Sequence, residues 1–151
     1  MDPLADLYQE VIFDHYRHPR NYGAMADADG TADGHNPLCG DRLTVSLKVA
    51  DGIVTDVRFE GQGCAIATAS ASLMTEAVKG KPVAEVEALF KRVHALLTGA
   101  LPDAELAAED VGKLTVLAGV REFPVRVKCA TLAWHTLEHA LHGDPEPVRT
   151  E

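Results

Sequence analysis

Two alternating stretches joined by Asp51-Gly52 constrain the fold of this chain more than any other feature. Every second residue is apolar or Thr on both sides of this pair: Leu43, Val45, Leu47 and Val49 before it, and Ile53, Thr55, Val57 and Phe59 after it. A period of two predicts β-strands, and Asp-Gly between two strands predicts a hairpin with a tight primed turn. One face of the hairpin is apolar, so helices must cover it.

Helical spacing of apolar residues accounts for much of the remaining sequence. Four segments are predicted to be helices: residues 4–15, 64–79, 82–99 and 128–142. Residues 20–40 are rich in Gly, Asn and Asp, and they predict a loop with at most one short strand. The sequence therefore predicts an α+β fold, with a small antiparallel sheet of about three strands and helices packed on one face.

The length of 151 residues predicts one domain with a single core. We expect this domain to span residues 1–143, with a helical insertion at about 98–120. Residues 144–151 contain two prolines and are predicted to form a flexible C-terminal tail.

Charge and hydropathy exclude several classes of function. The net charge of −9 argues against a nucleic-acid partner, because phosphate binding needs clustered Lys and Arg. No apolar run approaches the roughly 18 residues that a membrane span requires. The segment Met1–Asp6 lacks the basic and apolar regions of a signal peptide, so we expect a cytoplasmic protein with reduced thiols. Three cysteines, an odd number, also fit a disulfide framework poorly.

The predicted hairpin brings two of the cysteines together. Cys39 comes just before its first strand and Cys64 just after its second, with Asp41 two residues from Cys39. A hairpin returns the chain to where it began, so these three side chains should end near one another.

The third cysteine, Cys129, is predicted to lie at the start of the last helix, as Cys64 does at the start of an earlier one. Free N–H groups at a helix start favour a thiolate, and Arg126 and Lys128 add positive charge near Cys129. Three thiolates and the Asp41 carboxylate can form a tetrahedral Zn²⁺ site, in which the harder carboxylate exchanges more readily. Thiolates also hold iron–sulfur clusters.

Four segments, in order along the chain, resemble the IscU/SufU family of iron–sulfur cluster assembly proteins. They are the opening Leu7–Asn21 and the three ligand motifs Asn36–Asp41, Gly61–Ala67 and Arg126–Leu132. IscU-type proteins carry His where this chain has Lys128, and Leu-Pro-Pro-Val-Lys where it has Glu122–Arg126. With the insertion of about twenty residues, these differences make the chain more similar to the SufU sub-family.

The resemblance implies a site made of Cys39, Asp41, Cys64 and Cys129 that holds zinc and takes persulfide sulfur from a cysteine desulfurase of the SufS/IscS type. It also implies downstream assembly or acceptor proteins as partners, and a sulfurtransferase-like carrier rather than a stand-alone enzyme. We expect Cys39 to accept the sulfur, because its Pro- and Gly-flanked loop should be more mobile than a helix start. Cys129 is the second choice.

Three other functions remain open. The same four residues can serve as a scaffold on which a labile [2Fe–2S] cluster is assembled and passed on. A zinc hydrolase or deaminase needs a general acid/base beside the metal, and the chain lacks the His-x-Glu and Pro-Cys-x-x-Cys pattern of the deaminases. A purely structural zinc module is disfavoured because Asp41 is an inferior structural ligand.

The histidines also have two interpretations. His135 and His139 stand four apart on the predicted last helix, a spacing that can bind metal, although a solvated helix face is the simpler account. His35 lies near Cys39 in sequence and is a candidate for the surroundings of the metal site.

Overall fold

A computed structural model of the chain describes residues 3–37, 40–98, 124–143 and 148–149. Its elements, in chain order, are α1 (Pro3–Arg17), β1 (Gly30–Asn36), β2 (Asp41–Ala50), β3 (Ile53–Gln62), α2 (Ala65–Val78), α3 (Val83–Thr98), α4 (Pro124–His142) and β4 (Val148–Arg149). The predicted α+β class is confirmed. Among the described helices, none combines the length and the hydropathy needed to cross a membrane. Beyond Thr98, the predicted insertion lies outside the described residues.

The sheet has the strand order β3-β2-β1-β4. Its three longer strands are antiparallel, whereas the two-residue β4 runs parallel to β1, with Val148 opposite Gly34 and Arg149 opposite His35. Two residues of the segment predicted to be a flexible tail therefore belong to the sheet. Without β4, the outer N–H and C=O groups of this part of β1 would form an open sheet edge.

The hairpin between β2 and β3 turns at the predicted place. Asp51 and Gly52 both have positive φ angles, 53° and 76°, as a primed turn requires. Near this turn, the prediction of which β3 side chains face the core is wrong. The pairing changes register there, because Lys48 pairs with Asp56 while Val49 pairs with Val54. Thr55 is thus the extra residue of a β-bulge.

Because of the bulge, Val54 rather than Ile53 is the buried residue at the start of β3. Val54 is fully buried and Ile53 is 38% exposed, the reverse of the prediction, while Val57 and Phe59 keep their buried positions. The turn between α2 and α3 explains the exchange: the Val54 N–H donates to the Lys81 carbonyl, and the Val54 carbonyl accepts from the Gly80 N–H. These bonds fix Val54 against the turn.

Helix α4 covers the apolar face of the sheet, where it contacts β1 and β2, and α2 packs against both α4 and α1. Trp134 of α4 and Phe59 of β3 are among the largest fully buried side chains. The close approach of α4 to β1 depends on Gly34, because a Cβ atom there would collide with the Thr136 hydroxyl of α4. Glycine in β1 thus sets how deeply α4 sits on the sheet.

His135 does not lie on a solvated helix face. Its ring is 5.4 Å, between centroids, from both Phe90 and His94 of α3. Burial lowers the pKa of His135 below its ordinary value of 6.5, and the charge of His94 lowers it further, as does His139, while Glu138 acts in the opposite direction. At neutral pH, an uncharged His135 therefore packs between α3 and α4.

This packing predicts a pH dependence of stability. Because the pKa of His135 is lower in the folded state, the unfolded chain takes up a proton first as the pH falls through about 6.5. The contribution of His135 to the free energy of unfolding is therefore complete above about pH 6.5 and declines below that pH. We expect His135→Gln to lose less stability than the wild type between about pH 7.5 and pH 5.5. Urea unfolding at constant ionic strength measures this, and identical slopes would contradict it.

Candidate metal centre

Three of the four predicted ligands lie together at one end of the hairpin. The ligand atoms of Asp41, Cys64 and Cys129 are all within 4.8 Å of one another. Asp41 and Cys129 are buried, whereas Cys64 is exposed. Cys39 lies outside the described residues, so its membership of the group stays a prediction.

The first strand of the hairpin and the helix after it position Asp41 and Cys64. Asp41 is the first residue of β2, and its Oδ1 atom accepts a hydrogen bond of 2.8 Å from the Cys64 backbone N–H. Its Oδ2 atom is 3.8 Å from the Cys64 sulfur. Cys64 is the N-cap residue of α2, and its sulfur accepts from the Ala67 N–H at 3.4 Å. Cys64 therefore stands at a helix start, as the sequence predicts, and its sulfur faces the free N–H groups of the first turn.

The segment before Cys64 lies unusually close to β2. Gly61 has a φ of 137°, and a Cβ atom on it would collide with the carbonyl of Arg42. A Cβ atom on Gly63 would lie 3.2 Å from Asp41 Oδ1. Small residues at these positions let the chain bring the Cys64 N–H within reach of the carboxylate.

Cys129 does not start a helix, which corrects the sequence prediction. Helix α4 begins at Pro124, so Cys129 lies in its second turn, without a free helix end beside it. The side-chain amide of Asn36, at the end of β1, donates toward the Cys129 sulfur over 3.9 Å. An N–H donor of this kind favours the charged form of a buried thiol.

Sequence reasoning missed Asn36 as part of the site. The residue is fully buried and faces Asp41 directly across the β1–β2 ladder. Its signal was present, since it opens the motif Asn36–Asp41 that contains two predicted ligands.

The donor set fits a divalent metal ion. Burying a carboxylate is costly unless a positive partner compensates, and two cysteine sulfurs lie beside the fully buried Asp41. A cation between the three side chains would supply that compensation. Two thiolates and one carboxylate are suited to Zn²⁺, and three donors leave one tetrahedral position, for which Cys39 is the predicted ligand.

The sequence of the chain matches a known protein family. The NifU-like N-terminal domain family covers residues 7–141. The chain belongs to this family. The resemblance to IscU/SufU proteins that the sequence motifs indicate is thereby confirmed.

The chain is similar to relatives of two kinds within the family. The chain is 44% identical to the zinc-dependent sulfurtransferase SufU of Bacillus subtilis (strain 168), over 91% of each chain. It is 40% identical to the iron–sulfur cluster assembly scaffold protein IscU of Thermotoga maritima, over 93% of this chain and 96% of the relative.

Solved structures share the fold. FiSufU from the thermophile Fervidobacterium islandicum AW-1 superposes with a TM-score of 0.82 at 33% identity, over 90% of this chain and 97% of FiSufU. The N-terminal part of a NifU-like protein from Brucella abortus gives a TM-score of 0.81 at 27% identity, over 92% of this chain and 94% of that one.

The structure does not bring the candidate histidines to this centre. In β1, buried and more exposed residues alternate, so His35 points to the face opposite Asn36. His135 packs against α3 and is not a member of the group of potential ligands. Within the described residues, the only group of three or more potential metal ligands is Asp41, Cys64 and Cys129.

Two substitutions of Asp41 should separate its two roles. Asp41→Asn keeps an oxygen for the Cys64 N–H but removes the negative charge, so we expect a nearly unchanged melting temperature of the metal-free protein and at least about 10-fold weaker binding of added Zn²⁺. Asp41→Ala also removes the acceptor, which should lower the unfolding free energy of metal-free protein by about 1–3 kcal/mol. Thermal unfolding and competition with a zinc indicator measure the two effects.

The control for charge is Asp51→Asn, which removes the same charge from the exposed hairpin turn. If Asp41→Asn binds Zn²⁺ as tightly as Asp51→Asn does, Asp41 is not a ligand. Equal stability of Asp41→Ala and Asp41→Asn would count against the role of the Cys64 hydrogen bond.

Proposed function

We propose that this chain is an iron–sulfur cluster assembly protein that works as a zinc-binding sulfur acceptor and carrier. It takes persulfide sulfur from a cysteine desulfurase and passes it to downstream assembly or acceptor proteins in the cytoplasm. The convergence of Asp41, Cys64 and Cys129 carries this proposal, because it supplies a thiolate-rich site within a family that includes a zinc-dependent sulfurtransferase.

The residues that would hold zinc are Asp41, Cys64 and Cys129, with Cys39 as the fourth ligand. When bound, zinc would keep the thiols deprotonated at neutral pH. The chain itself contributes the buried carboxylate, the Asn36 amide and the N-terminus of α2, each of which favours a particular charge state or orientation at the site.

The transfer itself is a thiol–disulfide type of exchange. The acceptor thiolate attacks the outer sulfur of the desulfurase persulfide, a new S–S bond forms on the acceptor, and the desulfurase cysteine leaves as a thiolate. The reaction has no net oxidation or reduction, and the proton of the persulfide travels with the transferred sulfur. The chain is thus a carrier that receives a group, and it needs no general acid/base of its own.

Accessibility distinguishes the two described cysteines as acceptors. Cys129 is only 2% exposed, so a persulfide on a partner enzyme has little access to its sulfur, and this disfavours the second choice made from sequence. Cys64 is exposed at the N-terminus of α2 and replaces it as the second candidate. Cys39 remains the proposed acceptor on the grounds of its Pro- and Gly-flanked loop.

The scaffold function is the second candidate, with a [2Fe–2S] cluster as the cargo. The 40% identity to an IscU scaffold protein favours it, and the same cysteines and Asp41 would hold the cluster. Anaerobic purification with metal analysis and an absorption spectrum distinguishes the two functions. Colourless protein with one zinc supports the carrier, and a brown iron-containing chromophore supports the scaffold.

Sulfur transfer gives the direct test. A desulfurase whose persulfide has no acceptor is slow, so the wild-type chain should raise its alanine production, and Cys39→Ser should abolish the increase. Alanine release and trapping of persulfide by alkylation, followed by peptide mass spectrometry, measure rate and position together.

Cys64→Ser, Cys129→Ser and zinc-depleted wild type complete the set. If Cys39→Ser stimulates as well as the wild type, the acceptor assignment is wrong, and the trapped persulfide identifies the cysteine that replaces it. If no form of the chain stimulates the desulfurase, the scaffold function is favoured instead.

Metal removal should destabilise the fold. The proposed ligands come from β2, the N-terminus of α2 and the second turn of α4, so a bound ion joins segments that unfolding separates. With zinc at about 1,000 times its dissociation constant, we expect the melting temperature to fall by roughly 10 °C on chelation. Equal melting temperatures, with metal loss verified by elemental analysis, would argue that no folded-state metal site exists.

A further inference from the structure

Tyr22 lies at the outer edge of the sheet, beside the strand that leads to Cys64. The strand order places β3 at one side of the sheet, and residues 21–23 run along its free edge. The Phe59 N–H donates to the Asn21 carbonyl at 3.1 Å, and the Gly23 N–H donates to the Phe59 carbonyl at 2.9 Å. This short segment therefore pairs with β3 at Phe59.

The side chain of Tyr22 continues this pairing one step further along β3. Peptide groups two residues apart on a strand point the same way, so those of Gly61 face outward from β2 as those of Phe59 do. The Tyr22 hydroxyl donates to the Gly61 carbonyl at 3.0 Å and lies 3.4 Å from the Gly61 N–H, which donates to it. The Tyr22 ring packs edge-to-face on Phe59, with centroids 5.2 Å apart.

The bonds from Tyr22 hold a residue that lies close to the candidate metal centre. Gly61 combines a positive φ with a close approach to the backbone of Arg42, and it lies three residues before Cys64. Asp41 holds the Cys64 N–H from the β2 side, and Tyr22 holds Gly61 from the opposite side. Gln62 still pairs with Arg42 at the end of the β2–β3 ladder, so the residue between the ladder and Cys64 is Gly63, which adds little conformational restriction of its own.

We propose that Tyr22 is a positioning residue that holds the strand end at Gly61 and thereby keeps the Cys64 thiol in place at the metal centre. It touches neither the metal nor the sulfur that is carried. It limits how far the segment Gly61–Cys64 swings away from Asp41 and Cys129, and so it limits how readily Cys64 leaves the group. The consequence for zinc rests on the proposed function, whereas the restraint on Cys64 does not.

Tyr22→Phe tests the restraint, because it removes the hydroxyl and leaves the ring on Phe59. In the full-length, chelator-treated protein, we expect Cys64 to be alkylated about 3- to 10-fold faster than in the wild type, with Cys129 unchanged. Peptide mass spectrometry resolves the two cysteines. In the zinc-loaded protein, release of zinc to a chromogenic chelator should accelerate by a similar factor.

Tyr16→Phe is the matched control, since Tyr16 is a tyrosine on α1 that is 45% exposed, close to the 50% of Tyr22. Unchanged Cys64 alkylation in Tyr22→Phe would overturn the proposal. A parallel rise for Cys64 and the buried Cys129 would also overturn it, because that result indicates general loosening of the fold. Faster Cys64 alkylation with unchanged zinc release would support the positioning role and count against Cys64 as a zinc ligand.

Discussion

The hydrogen bond from the Cys64 N–H to the Asp41 carboxylate joins the two ends of the hairpin, and the centre depends on it. Asp41 opens β2, Cys64 caps α2, and the ladder between β2 and β3 fixes how far apart these points lie. The bond also uses one oxygen of a fully buried carboxylate, which leaves the other oxygen toward the Cys64 sulfur. A single acidic side chain thus organises the backbone and places a carboxylate oxygen at the candidate metal centre.

The third member of the group reaches the centre through helix packing. Cys129 belongs to α4, and α4 is held against α2 by Ser70, whose hydroxyl donates to the Ala130 carbonyl at 2.6 Å and accepts from the Trp134 indole N–H at 3.2 Å. These buried bonds set the distance between α2 and α4 at the residue that follows Cys129. The packing of the core therefore helps to set the separation of the Cys64 and Cys129 sulfurs.

The sequence predicted features that depend on neighbours along the chain or on the hairpin, whereas the hydrogen bonds that it missed join distant residues. The Asp51-Gly52 turn and the helix start at Cys64 are local, and both were predicted. The burial of Val54 depends on hydrogen bonds to the turn between α2 and α3, and the bond from Asn36 to Cys129 joins residues 93 positions apart. The spacing of apolar residues along the chain carries no information about such pairs. Asn36 itself nevertheless lies in one of the motifs that the sequence analysis identified.

Burial within the group is unequal, and this bears on how a partner reaches it. Asp41 and Cys129 are enclosed by β1, β2 and α4, whereas Cys64 lies at the surface, with Tyr22 half exposed beside the strand that leads to it. Among the ligands that the structure describes, Cys64 is therefore the one that a partner can reach directly, at the β3–α2 connection. Cys64 is held through one bond to the buried Asp41 and, by way of Gly61, through bonds to the half-exposed Tyr22, and a binding partner can compete for the latter.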